Sequence, residues 1–227
     1  MELDERKQKL MELVVNNHMK TSEPVGSNFL VEAGDLDVSG ATVRNEMQQL
    51  EDEGFISQPH TSAGRVPTEE GYRYYVNNLM ETEELEQQRQ QLQEIFQQDE
   101  EDREKLKQTA KQAAEDVSAA VIVAFDQNNV YYTGLSKLFS QPEFQDYDYT
   151  LHMSQIFDHC EEQIATIERI LEGKLDVLIG SNNPLGGNCS VVASRLGERT
   201  IFMVLGPIRM DYPEAVSFNQ CLLDLTK

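Results

Sequence analysis

Cysteine is scarce in this 227-residue chain: Cys160, Cys189 and Cys221 lie far apart and form no CxxC pair. That spacing argues against a disulfide framework or a zinc knuckle, and buried free thiols are the expectation. Histidine is nearly as sparse, and His152 and His159 beside Cys160 find no second ligand cluster, so no metal and no cofactor are expected. No apolar run approaches the roughly 18–20 residues of a membrane span. The start, MELDERKQKL, is too charged for a signal peptide, so the cytoplasm is the expected compartment and no membrane partner is expected. Positive charge is the last shortage: 19 Lys and Arg stand against 40 Asp and Glu, a formal net charge of -21 spread through the chain. Such a field repels a phosphate backbone, so any DNA contact must rest on a few cations placed by local geometry, with strong dependence on salt.

What is present reads as soluble and globular, with 39% hydrophobic and 26% charged residues and length for one large domain or two small ones. Over residues 4–20, Leu10, Met11, Leu13 and Val14 lie on or beside one helical face behind a capping Asp4. TSEPVG breaks that helix, a short second helix spans Ser27 to Ala33, and GDLDVS is a turn. Ser39 caps a third helix with Val43, Met47 and Leu50 inward, and Gly54 stops it. FISQ and RVPT are the arms of a hairpin around PHTSAG, with Gly64 supplying the backbone freedom of the tip, and Thr68 caps a further helix. Three helices, a hairpin and a helix are the order of a winged helix-turn-helix, placed at residues 1–80.

Residues 81–116 are Gln- and Glu-rich without Gly or Pro and predict a linker or coiled-coil-like helix. Leu85, Leu92 and Leu106 share a heptad register with Ile95 at a second core position, interrupted by Asp99 and Asp102. Residues 117–227 predict an α+β domain with an antiparallel sheet. AAVIVAF, NNVYYTG, LDVLIGS, CSVVASRLG and RTIFMVLGPIRM are its strands, 151–172 is an amphipathic helix, and a final helix begins near Tyr212.

The third helix of such a module enters the major groove. Its outward residues, Ser39, Thr42, Arg44, Asn45, Gln48 and Gln49, include the types that read guanine, adenine and phosphate. His60, Thr61, Ser62 and Arg65 sit at the tip and flank of the hairpin, where donors meet a phosphate backbone or a minor groove. Yet residues 1–80 carry seven basic against fourteen acidic side chains, a formal -7, so an ordinary amphipathic surface is the competing reading. SNNPLGGN lacks the Lys and spacing of a phosphate loop and reads as a turn. In GPIRMDYP, Arg209 and Asp211 are expected to order a strand-to-helix junction. No Ser-His-Asp or Cys-His set has sequence support, so the chain is not expected to be an enzyme.

Several stretches, LDERKQKLMELVVNNHMKTSEPVGS, VSGATVRNEMQQLEDEGFISQPHTSAGRVPTEEGYRYYVNNLM, GLSKLFSQPEF, IGSNNP, CSVVASRLG and LGPIRMDYPEAV, resemble the bacterial heat-inducible transcription repressor family (HrcA). The resemblance implies a dimeric repressor of heat-shock (chaperone) genes that binds a double-stranded inverted-repeat operator and depends on the chaperonin. It also implies a winged helix, a GAF-like domain and a dimerising domain inserted in the latter. Carried onto this chain, it chooses Ser39, Thr42, Arg44, Asn45 and Gln48 for the operator, and His60, Thr61, Ser62 and Arg65 for the wing. Only residues 117–133 stand where the family's long insertion would be, so a shortened member with a reduced GAF-like domain is expected. Its homodimer would then form through the 81–115 helix or the sheet. The alternative is a winged-helix interaction protein whose DNA binding is lost or altered.

Overall fold

Asp4 opens the first helix of the computed structural model, which describes residues 3–33, 39–82 and 85–226. Its carboxylate accepts from Lys7 N at 2.9 Å and starts α1 (Glu5–Thr21), the capping geometry expected of Asp at that position. The chain forms two units, Met1–Glu81 and Thr82–Lys227.

In the first unit α1 buries Leu10, Met11, Val14 and Val15, whereas Leu13 is only half-buried. Helix α2 (Ser27–Ala33) follows; the turn expected at GDLDVS lies, but for Ser39, outside the described residues. Ser39 caps α3 (Gly40–Asp52), its hydroxyl oxygen accepting from Thr42 N at 3.3 Å. Val43, Met47 and Leu50 are buried as their spacing requires. Glu46 is buried with them and forms an ion pair with Arg6 of α1. Gly54, at φ +83°, takes the left-handed conformation that ends the helix. Strands β1 (Ile56–Ser57) and β2 (Val66–Pro67) then pair antiparallel, Ile56 opposite Pro67. Thr68 caps α4 (Glu69–Asn78), accepting from Gly71 N and donating to Gly54 O. A Cβ at Gly71 would lie 2.0 Å from the Phe55 carbonyl oxygen, so only glycine lets α4 pack this closely on the segment leading into β1.

The second unit departs from the sequence reading at its start. A single helix over 81–115 is not formed: α5 (Glu86–Gln97) and α6 (Asp102–Asp116) are separated by residues 98–101. The acidic QDEED run is the reason. Aspartate is a poor helix-interior residue but suits a first turn, and Asp102 and Glu104 occupy the first turn of α6. Leu92 and Leu106 are buried inside the unit instead of lining a coiled-coil seam, and Leu85 is only half-buried.

The five expected strand segments form one antiparallel sheet, in the order β4-β3-β7-β6-β5. They are β3 (Ala120–Asp126), β4 (Asn129–Thr133), β5 (Leu175–Ile179), β6 (Cys189–Leu196) and β7 (Thr200–Pro207). Helix α7 (Leu135–Phe139) and the long α8 (Tyr147–Ile170) intervene after β4, and α9 (Tyr212–Leu225) closes the unit. Alternate strand residues divide between the two faces. Ala120, Ile122, Ala124, Val191, Ala193, Ile201, Met203 and Leu205 meet Met153, Ile156, Phe157, Cys160, Ile164 and Ile167 of α8. On the other face Phe202 stacks on Phe218 of α9, and Ser194 donates to Asn219 Oδ1 at 2.8 Å. Helices α6 and α9 lie along the sheet, and α5 packs on both of them. This is an α+β unit.

Cys160 and Cys189 sit in the α8-side core, while Cys221 on α9 is half-buried. Burial pushes the Cys189 thiol up to about 12 and raises the other two as well. Thiolate is the reactive form. Alkylation of the folded protein at pH 8, followed by peptide mass mapping, is therefore expected to label Cys221 first. Cys160 and Cys189 should react at least about tenfold more slowly until the chain is denatured.

Candidate nucleic-acid interface

Helix α3 presents Arg44, Asn45 and Gln48 as exposed residues, because its inward positions are taken by Val43, Glu46, Met47 and Leu50. Gln48 Nε2 donates to Asp52 Oδ1 at 3.0 Å, one turn along. At the start of the helix Ser39 and Thr42 hold each other, with their hydroxyl oxygens 3.1 Å apart. Arg44 Nε donates to Ser27 Oγ, at the first residue of α2, over 3.2 Å.

The hairpin tip is an ordered loop. Ala63 N donates to His60 O, and Gln58 Nε2 donates to Thr61 O at 3.2 Å and to Ala63 O at 3.0 Å. This leaves His60, Thr61 and Ser62 exposed, with Ser62 Oγ 3.4 Å from His60 Nδ1. Gln58 was not singled out from the sequence. Its only signal there is a polar side chain at the root of a Pro- and Gly-containing turn.

Gly64 plays a different part from the one expected. Its φ is not in the left-handed region, where Gly54, Gly134, Gly180 and Gly197 are found. It is required for space instead: a Cβ would lie 2.4 Å from Val25 O and 2.9 Å from Gly26 N. The close approach arises because Val25 and Arg65 exchange backbone hydrogen bonds of 2.8 and 2.9 Å, tying the hairpin to the segment before α2.

Arg65 is thus at the base of the hairpin, and its side chain is engaged. Nε and Nη2 both reach Glu51 Oε2 of α3 at 2.9 Å. Arg44, Gln48, Ser62 and Arg65 meet at one cleft of about 420 Å³, which Ser27 and Met47 also line. Asn45, His60 and Thr61 do not line that cleft, nor do Ser39 and Thr42.

The electrostatics of the unit single out one arginine. Arg6 pairs with Glu46, Lys7 with Glu53, Lys9 with Glu12, Arg65 with Glu51, and Arg73 with Glu69 and Glu70. Among the described residues, Arg44 and Lys20 are the basic side chains of this unit with no carboxylate partner, and Arg44 alone of the two is on α3.

The second unit shows why its two tempting segments are structural. In SNNPLGGN, buried Asn183 donates to Cys189 Sγ at 3.1 Å while its Oδ1 accepts from Leu185 N, a self-contained turn. In GPIRMDYP, Asp211 caps α9 by accepting from Glu214 N, with Pro213 in the first turn. Arg209 reaches Glu143 of the PEF segment, with Nη2 to Oε2 at 3.0 Å. Among the described residues no group of three or more His, Cys, Asp and Glu could hold a metal ion, and no helix is long and apolar enough to cross a membrane.

A family model described as the HrcA protein C-terminal domain matches residues 60–216. The heat-inducible transcription repressor HrcA of Pelotomaculum thermopropionicum is 52% identical over 92 residues, 40% of this chain and 26% of that protein. The HrcA of Lachnoclostridium phytofermentans is 52% identical over 81 residues, 36% of this chain and 24% of that one. The matched part spans about a quarter of the length of these relatives. A crystal structure of a hypothetical protein aligns over 99% of this chain and 98% of its own, with a TM-score of 0.78 at 16% identity, a likeness of fold alone.

Proposed function

The chain belongs to the HrcA family, and from that premise we propose that it is a sequence-specific DNA-binding repressor of heat-shock genes, acting as a dimer on an inverted-repeat operator. Residues 1–80 act as a winged helix, with α3 in the major groove and the β1–β2 hairpin as the wing. The operator contacts are Ser39, Thr42, Arg44, Asn45 and Gln48 on α3, and His60, Thr61, Ser62 and Arg65 on the wing. The observation that carries this reading is Arg44 on the exposed side of α3, which has no carboxylate partner among the described residues, in a unit whose other cations, Lys20 apart, are held by carboxylates. An arginine on such a helix whose charge is not neutralised by a carboxylate is suited to bidentate reading of guanine. Dependence on the chaperonin and a GAF-like role for the second unit follow from the family, the loss of its inserted dimerising domain is this chain's departure from it, and all three belong to the same proposal.

The test is a titration of the protein against a duplex selected from a random pool and against its scrambled counterpart, over a salt series. Preference for the selected duplex is expected. Equal, weak binding to both would reject the repressor reading. It would favour instead a winged-helix interaction protein, a reading supported by the formal -7 over residues 1–80.

Arg65 has a separate expectation, since its guanidinium both joins the wing to α3 and lines the cleft. Arg65→Ala should lower stability by about 1 kcal/mol, because it removes a part-buried ion pair and strands Glu51. It should weaken binding to selected and scrambled duplexes alike. Thermal unfolding and the same titration check both effects.

A further inference from the structure

Ser27 belongs to no expected contact, yet its side chain holds the arginine that lacks a carboxylate partner among the described residues. Its Oγ accepts from Arg44 Nε at 3.2 Å. This uses the one guanidinium N–H that end-on recognition of a guanine edge does not need, and leaves both terminal nitrogens available for it. The position of Ser27 is itself fixed. Two residues earlier Val25 exchanges two backbone hydrogen bonds with Arg65, and Gly64 packs against Val25 and Gly26 with no room for a Cβ. Arg65 in turn grips Glu51 on α3. A closed circuit therefore runs from α3 through the wing to Val25, on to Ser27, and back to α3 at Arg44.

We propose that Ser27 is a positioning residue for base recognition: it restricts the Arg44 guanidinium to one orientation, and the wing sets that orientation through Val25. The inference rests on the repressor reading of the same site. Without Ser27 the arginine keeps its charge and its place on α3 but samples other rotamers. Preference at the base pair it reads then falls, while attraction to phosphate is unchanged.

The experiment captures duplexes from a randomised pool with the full chain and sequences them before and after capture. Wild-type protein, Ser27→Ala, Ser27→Thr and Arg44→Ala are compared, with thermal unfolding of each. Ser27→Ala is expected to lose about 2- to 10-fold in preference at the base pair where Arg44→Ala loses it, and at no other. Ser27→Thr, which keeps the hydroxyl, should restore that preference, and Ser27→Ala should keep the wild-type affinity for a scrambled duplex. The inference is overturned if Ser27→Ala keeps full preference at the base pair that Arg44→Ala degrades. It is also overturned if every position weakens equally, the signature of a merely structural role. Should the wild-type protein enrich no sequence at all, the repressor reading itself fails and the inference falls with it.

Discussion

Arg44→Ala should, under the repressor reading, weaken binding to the preferred duplex by about 1–3 kcal/mol and flatten the preference at the base pair it reads, while binding to a scrambled duplex changes little. The large effect follows from how few cations the first unit leaves available. Five of its seven are committed to carboxylates, and of the remaining two, Lys20 lies on α1 and Arg44 on α3. Two controls separate geometry from charge. Lys20→Ala removes the same unit of charge and should leave discrimination intact. Arg44→Lys keeps the charge but lacks the planar fork, so it should lose the preference as Arg44→Ala does. Unchanged discrimination in Arg44→Ala, measured by titration of both duplexes at two salt concentrations, would mean that α3 is not the recognition helix.

Gly64→Ala should be the most damaging small change in the β1–β2 hairpin. The new Cβ would meet the Val25 carbonyl and the Gly26 amide at 2.4 and 2.9 Å, and backbone atoms cannot swing aside as a side-chain tip can. An overpacked contact of this kind costs about 1–3 kcal/mol, and in a domain of this size each kcal/mol lowers the melting temperature by roughly 4–8 °C. The Val25 and Arg65 amides, which donate across the pair, should exchange with deuterium faster than in the wild type. Gly26→Ala is the matched control, since nothing lies within 4 Å of a Cβ there. If Gly64→Ala melts like the wild type and both amides remain protected, the hairpin is not anchored at Val25.

What the sequence made legible was local. The caps at Asp4, Ser39, Thr68 and Asp211 each accept a backbone N–H in the structure, because capping needs only residues three apart. The five strand segments were readable from short apolar runs between turn residues. What it hid depended on distant partners. Glu46 lies at helical spacing from Val43 and Leu50, so its inward direction was available, but its Arg6 partner is forty positions earlier. Arg65 looked like a free cation on the hairpin until Glu51 was placed beside it. The break between α5 and α6 was hidden for another reason: helix-favouring composition on both sides masked a short acidic run. The nine proposed contact residues could be named from their types and spacing. The way Ser27, Gln58 and Glu51 hold them required the fold.

The ion pairs within the first unit also bear on how a repressor of this kind would find its site. A DNA-binding domain usually gains much of its non-specific affinity from counterion release as lysines and arginines neutralise phosphates. Here Arg6, Lys7, Lys9, Arg65 and Arg73 are already neutralised within the protein, and the surrounding charge is negative. Under the repressor reading, the chromosome would hold few copies in reserve on unrelated sequence. One-dimensional sliding would contribute little, and the operator would be reached mainly by three-dimensional encounter. Occupancy would then follow the concentration of free repressor almost directly, so a modest fall in the amount of folded protein would be felt at the operator at once.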